Sequence, residues 1–409
     1  MRLMDYDKVY SALAKYATGI DALHIIPVPD LSGPLEHTIG ALSKGLIPAH
    51  YRWTEEKTKR AYSFKGYREW ARSIIVAAKY YYTDEEYPDE RGYIRSTPTA
   101  VPSPGHKIPR ELSTKGTGRP YGRIARFTWR NNYRYLYGKL WELVAGLEGE
   151  LGISLRAKVL SNYTSIPEKI LFAFSGLAAL GKNCVLICRE MGSYFVVGEV
   201  LTDLRIDFTG SRFEELNVPR EPEFTSCGDC TRCIDACPTG ALIEQGALDI
   251  NRCFQYLSEN VIPVPQIYRP RWKNRLYGCS TCIDVCPYNS RLESNAEKHF
   301  VGYVGTGEDL IDLLSYSHNQ WDERFRDNQL IIRDRLAIVQ NALLCLGNCP
   351  HEGALPLLET WLSHTSPVIR ASAAWALGRM DTGASRRALE RRLREEEDAS
   401  VRDEIGRIL

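Results

Sequence analysis

The sequence predicts a multidomain α+β protein: an α/β domain over residues 1–220, a ferredoxin-like domain over 221–300 and HEAT-like helical repeats over 301–409. Three observations carry this prediction. Strand-like apolar runs alternate with segments of helical period through the first half. Eight cysteines crowd into residues 227–286. A helix-plus-glycine pattern recurs toward the C-terminus. The length of 409 residues, with 44% hydrophobic and 25% charged residues, suits a soluble chain of two or three domains.

In the first segment, ARSIIVAAKYYY (residues 71–82) reads as a strand. IARFTW (124–129) leads into YRYLYGKLWELVAGLEGEL, whose apolar residues fall at helical spacing. SIPEKILFAFSGLAALGKN is followed by a strand-like NCVLIC. GSYFVVGEVLTDL, punctuated by glycine, is expected to form a hairpin or paired strands. The Pro-, Gly-, Ser- and Thr-rich stretch 96–120 is expected to be a long loop.

The cysteines come next. Cys227, Cys230, Cys233 and Cys237 follow C-x2-C-x2-C-x3-C-P, the bacterial ferredoxin run, whose fourth cysteine serves a second cluster. Cys279, Cys282 and Cys286 give C-x2-C-x3-C-P, and Cys253 stands between the groups. The expected division is Cys227, Cys230, Cys233 and Cys286 on one [4Fe–4S] cluster, with Cys237, Cys253, Cys279 and Cys282 on the other. Soft thiolates presented by tight loops suit iron–sulfur, whereas zinc sites pair their cysteines at longer spacing. Of the remaining thiols, Cys184 and Cys188 lie in an apolar run and read as buried and inert.

In the last segment, Gly347 and Gly378, and Val368 and Val401, repeat at an interval of about 31–33 residues, and Pro367 starts a helix. Such stacks either bind a partner along one face or cap a neighbouring domain.

The net charge of +1 excludes a bulk electrostatic attraction to nucleic acid or membrane, so any such surface is local. Candidates are Arg123, Arg126, Arg130 and Arg134, and the cluster RPRWKNR (269–275), each of which reads equally as a solvated face. No apolar run reaches the ~20 residues a bilayer span needs, and no secretory signal opens the chain, so a cytoplasmic, monomeric protein is expected.

Taken in order, GLAALGKNCVLI, MGSYFVVGEVLTDL, the cysteine framework with YLSEN and NRLYGCSTCIDVCPYN, and the helical repeats resemble the epoxyqueuosine reductase family over nearly the whole chain. These are cobalamin- and iron–sulfur-dependent enzymes of tRNA queuosine synthesis. The resemblance implies a nitroreductase-like first domain, a cobalamin, a tRNA substrate met through its anticodon region and an external low-potential electron donor. It implies cofactor contacts at Gly181, Lys182, Asn183, Gly192, Ser193, Tyr194, Glu199 and Asp203. Where the family carries its proton-donating Asp, this chain has Asn162. Ser165 replaces the proline of the following P-x-x-E motif. The family's G-R-D-Y-H appears as WRNNYRY, with Asn132 at the Asp and Arg134 at the His. Tyr163 and Tyr133 are candidate replacement donors, or packed aromatics. Two other functions stay open: a corrinoid iron–sulfur reductase acting on a small molecule such as an organohalide, and an electron-transfer protein that reduces another protein's corrinoid.

Overall fold

The computed structural model describes residues 3–48, 54–64, 66–67, 69–83, 118–162, 166–209, 227–295 and 299–409. Most of the expected 96–120 loop, Tyr163, Ser165 and the expected boundary at residue 220 lie outside these. The chain divides into two compact units, each built from separated segments: Met1–Thr83, Asn132–Asn251 and Thr281–His299, and then Asp84–Asn131, Arg252–Ser280 and Phe300–Leu409. The cysteine-rich stretch is therefore shared out between two units.

The first unit is organised on a four-stranded antiparallel sheet. Its strands are β1 (Ala22–Pro27), β2 (Ser73–Tyr80), β3 (Ala157–Ser161) and β4 (Phe195–Thr202), in spatial order β1-β2-β4-β3. Strand β2 is the predicted SIIVAAKY run, buried along nearly its whole length because both its neighbours are strands and both its faces are covered. On one face lies the helix α2 (Asn132–Leu151). Its buried Leu136, Leu140, Leu143, Val144 and Leu147 follow the predicted period. Helix α1 (Tyr6–Lys15), capped by the Asp5 carboxylate on the Lys8 N–H, packs beside it. The other face is closed by the short helix α3 (Glu168–Ala173), whose Leu171 and Phe172 enter a cluster with Val76, Leu160, Val197 and Leu201.

Two expectations change here. GSYFVVGEVLTDL is not a hairpin but one strand, β4, paired on both sides. Gly198 is no turn; a Cβ there would stand 2.9 Å from Leu140 Cδ1, so the glycine lets α2 approach the sheet. NCVLIC contributes only Leu186–Ile187, which pair back onto Ala179–Leu180. The turn between them is set by the Asn183 side chain, which accepts from the Val185 N–H at 3.2 Å.

His24 of β1 is buried, with Nε2 against the Tyr6 hydroxyl at 2.9 Å and Nδ1 against the Ser175 carbonyl at 3.0 Å. Burial pushes its imidazole down to about 4, against the weaker pull of the Ser175 carbonyl. The unfolded chain therefore binds a proton that the folded one refuses, and stability falls as pH drops from about 6.5 toward 4. The expected loss is roughly 3 kcal/mol. Urea unfolding across this window should show the slope, and His24→Gln should flatten it.

The second unit joins a three-stranded sheet to a helical stack. Residues Tyr121–Ile124 form its central strand, between Arg275–Tyr277 and Gly307–Asp309. The stack contains α4 (Arg335–Asn348), α5 (Pro367–Met380) and α6 (Ala399–Ile408), with α5 packed on both others. The repeated glycines are the points of closest approach. A side chain at Gly347 would collide with Trp375 of α5, and one at Gly378 would stand 2.5 Å from Ile408 of α6. The stack is tied to the segment Arg252–Ser280. Asn341 of α4 donates to the carbonyls of Ser258 and Leu276, and Arg269 pairs with Glu404 of α6 at 2.6 Å.

Candidate functional site

Cys227, Cys230 and Cys233 sit on a loop and the single helical turn Arg232–Asp235, opened by Gly228 at φ 50°. Lys182 clamps this loop: its Nζ donates to the carbonyls of Gly228 at 2.5 Å and Cys230 at 3.2 Å. Asn183 donates to the Cys282 carbonyl at 3.3 Å. The GKN stretch, marked by the resemblance, therefore grips both cysteine runs through their backbones. Burial, and then the neighbouring Cys227 and Cys230, push the Cys286 thiol up. The Cys233 thiol is raised by burial and also by Cys286 and Cys227. The thiols of Cys233 and Cys286 thus lie near those of Cys227 and Cys230, a grouping whose soft donors suit an iron centre. Cys237 behaves oppositely. Burial works against its thiolate, but backbone N–H groups of Leu242, Thr239 and Ala241 outweigh it and lower the thiol, the Ala241 N–H lying 3.2 Å from Sγ.

Gly192, Ser193 and Tyr194 meet the end of the second run. The Ser193 N–H donates to Asn289 Oδ1 at 2.8 Å, and the Tyr194 hydroxyl to Asp284 at 2.9 Å. Gly192 has φ 54°, and a Cβ there would strike Asn289. Ser193 Oγ is buried without a hydrogen-bond partner among the described residues. Beside Pro287 opens a cavity of about 740 Å³, lined among others by Tyr80, Arg189, Tyr288, Arg291 and Asn295.

Asn162 follows β3 directly, exposed and at φ 55°. Its neighbour Ser161 pairs with Gly198, where Leu136 of α2 also packs, so Asn162 and the first turn of α2 converge on one stretch of β4. That turn carries Tyr133, half-buried, and Asn132, buried, whose Oδ1 lies 2.9 Å from His299 Nε2. His299 stacks flat on Tyr135, centroids 4.1 Å apart at 3°. Arg134 is exposed.

Two residues from the resemblance do not join this end. Asp203 lies past the far end of β4, nine residues from Tyr194 and so about 30 Å away along an extended strand, where it accepts from the Arg156 N–H at 3.0 Å. Glu199 lies in the same strand but is 0% exposed. Burial first, then the charge and hydrogen bond of Glu168, raise its carboxyl well above the usual range. Spacing gives no sign of this pair, because Glu168 and Glu199 meet only through the packing of α3 on the sheet.

The arginine candidates also divide. Arg126 stacks over Trp129 at 4.4 Å, and Arg130, buried, lies over Phe300 and Tyr303. In RPRWKNR, Arg269 and Arg275 are buried, leaving Arg271 and Lys273 exposed. Arg269 cannot serve an external phosphate while it neutralises Glu404. Cys188 is buried as expected, while Cys184 is only half-buried.

Residues 226–289 match the model of the 4Fe–4S double cluster binding domain, and 334–409 match HEAT repeats. Epoxyqueuosine reductase of Bacillus anthracis is 31% identical over 299 residues, 72% of this chain and 75% of that protein. The Bacillus subtilis enzyme is 30% identical over 311 residues, 75% of this chain and 76% of its own length. The chain belongs to the epoxyqueuosine reductase family. Among solved structures, an epoxyqueuosine reductase with a tRNA-Tyr epoxyqueuosine-modified tRNA stem loop aligns at a TM-score of 0.77 and 25% identity, over 99% of this chain and 98% of that one. The Bacillus subtilis reductase, with its catalytic aspartate loop swung out of the active site, aligns at 0.79 and 25%, over 99% of each chain. Among the described residues no helix is long and apolar enough to cross a membrane.

Proposed function

We propose that this chain is an oxidoreductase that reduces epoxyqueuosine to queuosine in tRNA. The observation that carries this reading is its 30–31% identity, over about three quarters of the chain, to named epoxyqueuosine reductases. The double-cluster domain supports an electron supply of the right kind. Removing the epoxide oxygen as water takes two electrons and two protons. Two clusters would supply one-electron transfer from an external low-potential donor, one that Cys227, Cys230, Cys233 and Cys286 would hold and the other that Cys237, Cys253, Cys279 and Cys282 would hold.

A cobalamin fits the Ser193 end of β4, where an orphaned buried hydroxyl stands in the Gly192–Tyr194 turn. When bound, it supplies the low-valent cobalt that carries the two-electron chemistry. Ser193 would satisfy its polar edge, while Lys182 and Asn183 fix the adjoining cysteine loops. Asn162 and Tyr133 border the substrate side, and Asn162 offers hydrogen bonds but no acidic proton.

The decisive experiment is anaerobic turnover of epoxyqueuosine-containing tRNA with a strong chemical reductant, read by mass spectrometry of the digested nucleosides. Queuosine formation is expected. A second reading, a corrinoid reductase for another substrate, rests on Asn162, Asn132 and Arg134 standing where the family has Asp, Asp and His; absence of queuosine under full reduction would favour it.

RNA contact is expected to involve Arg271 and Lys273. Changing both to alanine should weaken stem-loop binding and reduce the salt slope of log Kd by about 1–2. An unchanged slope would move the phosphate contacts elsewhere.

A further inference from the structure

The cavity beside Pro287 is used by nothing described so far. Its volume of about 740 Å³ lies in the range that pockets for small organic groups occupy. Arg189 and Arg291 line it, both exposed, and among the described residues neither makes a hydrogen bond or an ion pair. Two carboxylates, Glu190 and Glu293, also line it without pairing with these arginines; Glu190 accepts the Cys188 S–H at 3.1 Å instead. The ring of Tyr288 is 39% exposed and meets no other ring or cation among the described residues.

The walls are fixed. Tyr80, at the end of β2, donates from its hydroxyl to the Glu293 carbonyl at 2.7 Å, and its own carbonyl accepts from Asn295 Nδ2 at 2.5 Å. Between the lining residues Tyr288 and Ser290 stands Asn289, which accepts the Ser193 N–H. Leu292 of the same wall lies so close that a Cβ on Gly192 would stand 2.8 Å from its Cδ1. The cavity therefore adjoins the Gly192–Tyr194 turn, the end of β4 at which the proposed reduction takes place. Uncompensated guanidiniums call for an anion, and an open aromatic face for a planar group. A nucleotide carries both, and unpaired RNA is read by stacking its bases on aromatic rings and holding its phosphates with arginine. The two arginines and two glutamates of the lining cancel in charge, so the site suits a discrete phosphate better than a broad acidic protein surface.

We propose that this cavity holds an unpaired nucleotide next to the modified one in the RNA loop, with its base on the Tyr288 ring and its phosphates on Arg189 and Arg291. The three residues bind and place the loop and take no part in the chemistry. This proposal rests on the epoxyqueuosine reading.

The test uses the full-length holoprotein and an epoxyqueuosine stem-loop RNA. Arg189→Ala with Arg291→Ala should weaken binding about tenfold and reduce the salt slope of log Kd by about 1.4, the share of two single-strand phosphates. An unchanged slope overturns the proposal. Tyr288→Ala should raise Kd and KM about tenfold with kcat unchanged, and Tyr288→Phe, which keeps the ring, should match wild type. Equal loss in both variants overturns the proposal. Stem-loops made abasic on the 5′ or the 3′ side of the modified nucleotide then identify the base, because Tyr288→Ala should cost nothing more once the stacked base is gone. Losses that add on both sides overturn the proposal. Arginine variants that bind RNA as wild type does, but accept electrons more slowly from a protein donor, would give the cavity to that donor and overturn the RNA assignment. All these results leave the functional reading intact while wild type makes queuosine. A wild type that makes none sinks that reading, and this assignment with it.

Discussion

Replacing Cys237 with alanine is expected to remove one four-iron cluster and leave the other. Wild type should carry about eight irons and eight sulfides per chain, and the variant about half of each. Cys237 belongs by position to the first run, so a reading by proximity in sequence would place the loss in the first cluster. The crossed assignment places it in the second. The thiols of Cys227, Cys230 and Cys233 interact electrostatically with Cys286, while Cys237 is held separately by the backbone N–H groups of Ala241 and its neighbours. Cys286→Ala should therefore give the complementary loss. Anaerobic electron paramagnetic resonance of the two reduced variants separates the cases. Identical residual signals would refute the crossed assignment, and turnover should fall to background in both, because each breaks the electron path.

Restoring the family acid at position 162 is the second large effect. Asn162 is exposed and sits at φ 55°, a conformation that Asp tolerates nearly as well as Asn. Asn162→Asp therefore brings little backbone strain and little desolvation cost, and thermal unfolding should shift by no more than a few degrees. Its effect falls on chemistry. With epoxyqueuosine RNA the rate should stay level or rise, up to the 10²–10⁴-fold that a placed acid contributes if the wild type is short of a donor. A fall in rate, with the fold intact, would show that the amide itself is needed and would support the reading in which another substrate is used. An inactive wild type made active by this one change would mark a chain that has left the queuosine reaction.

Much of this site is legible in the order of the residues. Cysteine spacing is a local property: a C-x2-C-x2-C turn presents thiols together whatever surrounds it, so ligand chemistry follows from the run itself. Helical period in α2 and the recurring glycines of the stack are local in the same way, since each helix must bury one face. The cofactor residues implied by resemblance are a harder matter, because resemblance marks positions and says nothing of where a side chain comes to rest. Gly192 and Ser193 do meet the second cysteine run, whereas Asp203 lies about 30 Å along the strand from Tyr194.

Local residue order thus accounts for the cluster chemistry, the helical stack and the apolar strand at the heart of the first unit. The parts played by Gly198, Arg269 and Glu199 come instead from packing between distant segments. Gly198 reads as a turn residue in sequence, yet α2 presses against it within a strand. Arg269 reads as a phosphate ligand, yet Glu404, far along the chain, neutralises it. Glu199 stands where a cofactor contact is implied, yet α3 lays Glu168 against it in the core. In each case the deciding partner is remote in sequence, and the free energy of a charge or a close contact depends on what has been packed around it.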